Sequence, residues 1–266
     1  MLGLACSTLS CDGFGDNDFV RTFEIMPKVG FRYVEFNCWH PSTITPHKMI
    51  DLKRRCDETG LKPIAVYGNG FGGANHQEIT RDVGYKIRMI EAARELGCRR
   101  IVATGAARGE AGGLDAIIKT LKEIVPAAEQ YDTLICLENH ADNNLENIDD
   151  YKRIFDAVSS DKVGICIDTG HFDAAGVDLN DLIDSLGNYV NHLHLKENKG
   201  FGTKEFTKFG EGTTDNINVI KRMTELGFKG YMSIELSPEV ESQKGVPFEA
   251  DDLMIPKKMF EPYEIP

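Results

Sequence analysis

Apolar positions along the chain fall into short runs separated by longer amphipathic stretches, and glycine often marks the change from one to the other. In four places a helix-like segment stops at glycine and a strand-like run begins within a few residues: Val29-Gly30-Phe31, Thr59-Gly60-Leu61, Leu96-Gly97-Cys98 and Leu226-Gly227-Phe228. Glycine just past a helix end adopts the left-handed conformation that other residues resist, so each reads as a helix stop ahead of a strand. The stops are spaced by 30, 37 and 130 residues. If the last interval spans four units, the mean unit is about 33 residues, an eighth of the chain.

Candidate strands fall at about 2–7, 31–38, 61–67, 100–105, 132–138, 162–168, 190–195 and 230–236, each bounded by turn residues. Helical periodicity fills the gaps. One helix has Thr45 as N-cap, Pro46 in the first turn, Met49, Leu52 and Cys56 on one face, and Gly60 as its stop. Another runs over about 78–96, with Val83, Ile87, Ile90 and Ala93 on one stripe. Strict alternation predicts a parallel sheet, and eight units predict a closed (β/α)8 TIM barrel, α/β in class, as a single domain over residues 1–266. No Gly-x-Gly-x-x-Gly follows the first strand, which argues against a Rossmann sheet.

Charge narrows the function classes. With 30 basic and 42 acidic residues the formal charge is −12, which lacks the electrostatic footprint of a nucleic-acid binder. The seven cysteines form no C-x-x-C pair, and several sit inside apolar runs, as expected of reduced thiols in a cytoplasmic protein. The N-terminus lacks the parts of a signal peptide, and no apolar stretch approaches membrane-spanning length. A soluble cytoplasmic protein with no membrane partner is expected.

In a TIM barrel the site lies where the strands end, and strand side chains alternate between interior and helix layer. Four consecutive candidate strands end near a metal-ligating side chain: Glu138, Asp168, His194 and Glu235. With these inward, Cys136, Cys166, His192 and Ser233 also face the interior, while Ile135, Leu137, Ile165, Ile167, Leu193, Leu195, Met232 and Ile234 face the helices. Three converging carboxylates repel one another unless a cation neutralises them. Three oxygen donors and one imidazole suit Mn²⁺ first, with Mg²⁺, Co²⁺ or Zn²⁺ as alternatives.

Leu137-Glu138-Asn139, Asp168-Thr169-Gly170-His171, His192-Leu193-His194-Leu195-Lys196-Glu197 and Ile234-Glu235 resemble the xylose-isomerase-like TIM barrels, which include sugar and sugar-phosphate isomerases and epimerases, inosose dehydratases and endonuclease IV. The resemblance implies one catalytic divalent metal on Glu138, Asp168, His194 and Glu235, with His171 beside the substrate, and Gly210-Glu211-Gly212 matches a turn common in the family. Endonuclease IV holds three zinc ions through additional ligands. Here Tyr67-Gly68-Asn69-Gly70, Thr104-Gly105-Ala106-Ala107 and Phe206-Thr207-Lys208-Phe209 stand where those would be, so a nucleic-acid substrate is not expected.

The chemistry suited to such a site is proton abstraction beside a carbonyl, with Glu138 and Glu235 as the acid and base and a metal-stabilised enediolate between them. The resulting expectation is a metal-dependent isomerase or epimerase of carbohydrate metabolism, acting on a free or phosphorylated sugar or keto-sugar. A lyase that dehydrates an inosose or keto-sugar is the alternative, and a non-catalytic ligand-binding or subunit barrel is a third reading. Gly200 and Asn144 stand where some ketose 3-epimerases of the family carry arginine and glutamate, which turns the expectation away from a free-ketose 3-epimerase. Lys196, inward with His194, and Glu197 beside it are expected to contact substrate, as are Trp39 and Glu35 on the second strand. His76 reads as a surface loop residue, and segment 198–212 as a lid or a mobile solvated loop. The expected partner is a small polyhydroxylated carbonyl compound, and a homo-oligomer is compatible with the sequence.

Overall fold

A computed structural model describes residues 1–14, 18–110, 112–238, 240 and 248–265. Eight parallel strands close into a barrel: β1 (Leu2–Ser7), β2 (Tyr33–Cys38), β3 (Lys62–Gly68), β4 (Arg100–Ala103), β5 (Leu134–Glu138), β6 (Val163–Asp168), β7 (Val190–Leu195) and β10 (Gly230–Ile234). The remaining strands, β8 (Glu197–Asn198) and β9 (Phe206–Thr207), pair antiparallel with each other at the barrel mouth. The last barrel strand stops one residue before Glu235 and β4 two residues earlier than the expected 105, whereas β5, β6 and β7 end at 138, 168 and 195 as their apolar patterning indicates.

The four glycine stops all have left-handed φ values, from 77° at Gly60 to 88° at Gly30. Helix Pro46–Thr59 starts on Thr45, whose side chain accepts the Lys48 N–H, and buries Met49, Leu52 and Cys56. Helix His76–Leu96 begins two residues earlier than its periodicity indicates, because Asn75 caps it by accepting the Glu78 N–H. His76 is therefore an exposed first-turn residue rather than part of a loop.

Alternation divides the core in two. Ala5, Ala65, Tyr67, Val102, Cys136 and Cys166 fill the barrel interior with Leu134 and Tyr231. Ile135, Leu137, Ile165, Ile167, Leu193, Leu195, Met232 and Ile234 pack between strands and helices in the larger cluster. Two register shifts interrupt the ladders, between Val34 and Glu35 on β2 and between Ile165 and Cys166 on β6. Such irregularities re-aim neighbouring side chains. Among the described residues no helix is long and apolar enough to cross a membrane.

The loop after β3 is held from below by a buried lysine. Lys86 Nζ donates to Asn69 O (2.8 Å), Asn69 Oδ1 (3.0 Å) and Gly70 O (3.1 Å), and pairs with Asp82 at 3.0 Å. Lys86→Met retains the stem but leaves these acceptors and the Asp82 charge uncompensated, a loss of about 3–5 kcal/mol. Urea denaturation should show it as a lowered midpoint with an unchanged slope.

Candidate active site

The ends of β5, β6, β7 and β10 bring Glu138, Asp168, His194 and Glu235 together, with one ligand-capable atom from each lying within 4.8 Å of all the others. All four are buried. Local sequence explains their placement. Asn139 donates through Nδ2 to Asp168 O (3.1 Å) and accepts the Asp168 N–H on Oδ1 (2.9 Å), which pins the end of β5 to the end of β6. Asp168 caps the following helical turn, its Oδ1 accepting the His171 N–H at 2.8 Å, so Oδ2 is left to face the cluster. Thr169 Oγ1 donates to Asn216 Oδ1 (2.6 Å) and accepts the Lys196 N–H (3.0 Å). Gly170 is required because a Cβ there would lie 2.7 Å from Lys196 Cγ.

The cluster's charges are compensated from within. Lys196 Nζ donates to Glu235 Oε1 at 2.6 Å and lies 3.2 Å from Asp168 Oδ2. His194 turns Nδ1 towards Glu138 Oε1 and towards Glu235 Oε2, the latter at 3.1 Å. Burial opposes charge on all of these groups. At His194 the neighbouring Cys166, Glu35, Glu138 and Glu235 overcome it and raise the imidazole well above its ordinary pKa. Burial likewise works to raise Glu138 and Glu235, but His194 with His140 outweighs it at Glu138, and Lys196 with His194 outweighs it at Glu235, so both are lowered. Asp168 differs: desolvation wins over Lys196, and Glu235 and Glu138 add to it, so its carboxyl is pushed up to about 6.

Three groups that sequence reasoning missed complete the surroundings. Tyr67 donates to Glu138 Oε2. His140 Nε2 lies 3.1 Å from the same oxygen, and its ring stacks on His171 with centroids 3.9 Å apart. Phe206 meets His171 edge-on at 4.6 Å, and Lys196 Nζ lies 5.1 Å from its ring. Tyr67 was within reach of the inward alternation of β3, whereas His140 and Phe206 follow strand ends, where alternation no longer applies.

The expected substrate contacts divide. His171 is buried, accepts the Ala141 N–H on Nδ1 (3.4 Å) and leaves Nε2 without a partner. Burial, with the charges of His140 and Lys196, holds it well below its usual pKa, so the neutral ring presents an Nε2–H donor. Trp39 packs on Tyr67 with centroids 4.7 Å apart, and its indole N–H also lacks a partner. Glu35 lies beneath the cluster, facing His192 and His194. Glu197 faces away into the loop after β7, where it accepts the N–H groups of Thr214 (3.1 Å) and Gly210 (3.4 Å). That loop is stapled: Asn198 Nδ2 donates to Asp173 Oδ2 and to the carbonyls of Gly200 and Thr203. Asn144 is likewise structural, accepting the Gly109 N–H and donating to Glu110 O.

Comparison with known proteins agrees with this architecture. Residues 23–251 match the family described as xylose isomerase-like TIM barrel. An inosose isomerase of Bacillus velezensis is 25% identical over 235 residues, covering 83% of this chain and 84% of its own. Among solved structures, the IolI protein with a bound zinc atom superposes with a TM-score of 0.79 at 20% identity, covering 97% of each chain. The D-allulose 3-epimerase of Methylomonas sp. in complex with D-allulose reaches 0.81 at 14% identity, covering 99% of this chain and 97% of its own.

Glu197 generates a pH signature. Desolvation pushes its carboxyl up to about 7. A folded-state pKa above the unfolded value means that the folded protein binds more protons, so stability falls as pH rises from about 4.5 to 7 and is level above. Glu197→Gln removes this contribution. The difference in unfolding midpoint, wild type minus variant, should decline across that window and stay flat from pH 7 to 9, measured by denaturation in matched buffers.

Proposed function

The chain belongs to the xylose isomerase-like TIM barrel family, and on that footing we propose that it is a divalent-metal-dependent isomerase or epimerase of a sugar or keto-sugar. The observation that carries this reading is the convergence of Glu138, Asp168, His194 and Glu235 on one buried point. The donor set fits a cation. Asp168 Oδ2 and Glu235 Oε2 are buried oxygens that make no in-line hydrogen bond, and three carboxylates with one imidazole offer the hard ligands that Mn²⁺, Mg²⁺ or Co²⁺ prefer, with Zn²⁺ also compatible. When bound, such an ion supplies Lewis-acid polarisation of a carbonyl.

The protein's own groups do the rest. Glu138 and Glu235 are the catalytic carboxylates: one takes the proton from the carbon beside the carbonyl, the C–H electron pair moves into an enediolate, and a proton is returned from one of them. Return to the opposite face of the same carbon inverts it; return to the neighbouring carbon, with the hydroxyl proton passing to the former carbonyl oxygen, moves the carbonyl. Tyr67 orients Glu138 by its hydrogen bond. In this reading the Nε2–H of His171 and the ammonium of Lys196 hold substrate oxygens and Trp39 walls the carbon skeleton, which the unpartnered His171 Nε2 and the packing of Trp39 on Tyr67 support. Neighbours with sugar-isomerising activity support the substrate class, and seven buried, unpaired cysteines support a cytoplasmic setting.

The test is incubation of Mn²⁺-loaded protein in D₂O with ketoses, keto-sugars, sugar phosphates and inososes, followed by NMR and mass spectrometry. Carbon-bound deuterium at unchanged formula is expected, abolished by EDTA and reduced at least about 10²-fold in Glu138→Gln and Glu235→Gln. Loss of water from the substrate would assign the protein to the lyases. Undiminished exchange in Glu235→Gln would remove that residue from the mechanism.

A further inference from the structure

Beneath the four converging side chains lies a carboxylate that the mechanism does not use. Glu35 reaches across the barrel interior from β2 to β7, where its Oε2 takes the Nε2 of His192 at 2.5 Å and its Oε1 lies 2.7 Å from the Nε2 of His194. All three side chains are fully buried. Neither Glu35 Oε1 nor His194 Nε2 makes an in-line hydrogen bond, and the two meet as an ion pair at 2.7 Å. The placement is built into both strands: the β2–β3 register shifts at Val34 and Glu35, and the β6–β7 register shifts at Ile165 and Cys166, beside His192. Irregularities at both ends of one contact indicate strands shaped to bring the groups together.

An ionised carboxylate only accepts hydrogen bonds, so the imidazole nitrogen facing it must carry a proton. The same rule puts a proton on Nδ1 while it faces Glu138 and Glu235 alone; a cation among those carboxylates displaces that proton and takes the Nδ1 lone pair, while Nε2 keeps its proton towards Glu35. A buried carboxylate in this position fixes both the ring's orientation and its tautomer. We propose that Glu35 is a positioning residue, which holds His194 with Nε2 protonated and Nδ1 turned into the carboxylate cluster and so sets the site's affinity for a divalent ion. This rests on the metal reading of the preceding section. It replaces the expected substrate contact of Glu35, whose carboxylate is engaged by two histidines.

The experiment pairs metal affinity with a direct view of the ring. Free Mn²⁺ is titrated by electron paramagnetic resonance against wild type, Glu35→Gln, Glu35→Asp and Glu235→Gln. The Zn²⁺-loaded proteins, labelled with ¹⁵N-histidine, are examined by NMR. Expected are a 10- to 100-fold weaker Mn²⁺ affinity in both Glu35 variants, and a wild-type His194 with a protonated Nε2 and an unprotonated, metal-shifted Nδ1, a pattern lost in Glu35→Gln. A general packing role would lower stability without altering the His194 nitrogens. Affinities within twofold of wild type in either folded Glu35 variant, or a wild-type His194 protonated at Nδ1, would overturn the proposal while leaving the site reading intact. If wild type takes up no Mn²⁺, or Glu235→Gln binds it as tightly as wild type, the site reading falls and this proposal with it. The wild-type NMR result needs no variant to fold.

Discussion

Two like charges 4 Å apart repel by about 4 kcal/mol at an effective dielectric of 20, and this barrel buries four carboxylates, Glu35, Glu138, Asp168 and Glu235, at one end of its interior. Repulsion on that scale has to be answered locally, since water is excluded. Lys196 answers it at Glu235 and Asp168, and His194 answers it at Glu35, Glu138 and Glu235. Asp168, whose carboxyl is pushed up to about 6, bears what remains. A cluster so costly to assemble fits a divalent cation better than it fits any structural role.

The fold concentrates its stiffest devices around that cluster. Asn139 ties strand to strand, Thr169 ties the helical turn after β6 to the end of β7, and Gly170 lets the Lys196 stem pass. The loop after β7 is hydrogen-bonded through Glu197, Asn198 and Asp173, and Phe206 on it lies against His171. On the other side of the mouth, Lys86 holds the glycine-punctuated loop after β3. Groups that must be placed within a fraction of an ångström are thus carried on strands and supported by a second layer of hydrogen bonds.

Much of this was legible in the sequence because barrel strands impose a period of two and a fixed polarity. Glu138, Asp168, His194 and Glu235 ended four consecutive apolar runs, and the same parity placed Lys196 among them. The glycine stops were legible for an equally local reason, the left-handed backbone they adopt. What escaped were contacts fixed by closure of the barrel and by loop paths. Glu35 meets His192 over a separation of 157 residues, His140 turns back onto its own strand end, and Glu197 points into the loop because β8 pairs with β9 there. Of these two adjacent positions, both expected to contact substrate, Lys196 turns its ammonium to Glu235 and Asp168, whereas Glu197 turns into the loop and accepts the Thr214 and Gly210 N–H groups.

The central claim is that one divalent ion belongs among these four side chains. Anomalous diffraction from a crystal soaked in Mn²⁺, collected near the manganese edge, tests it most directly. The account predicts one strong peak bounded by Glu138, Asp168, His194 and Glu235. A map empty at that point, or manganese bound only at surface carboxylates, would contradict it.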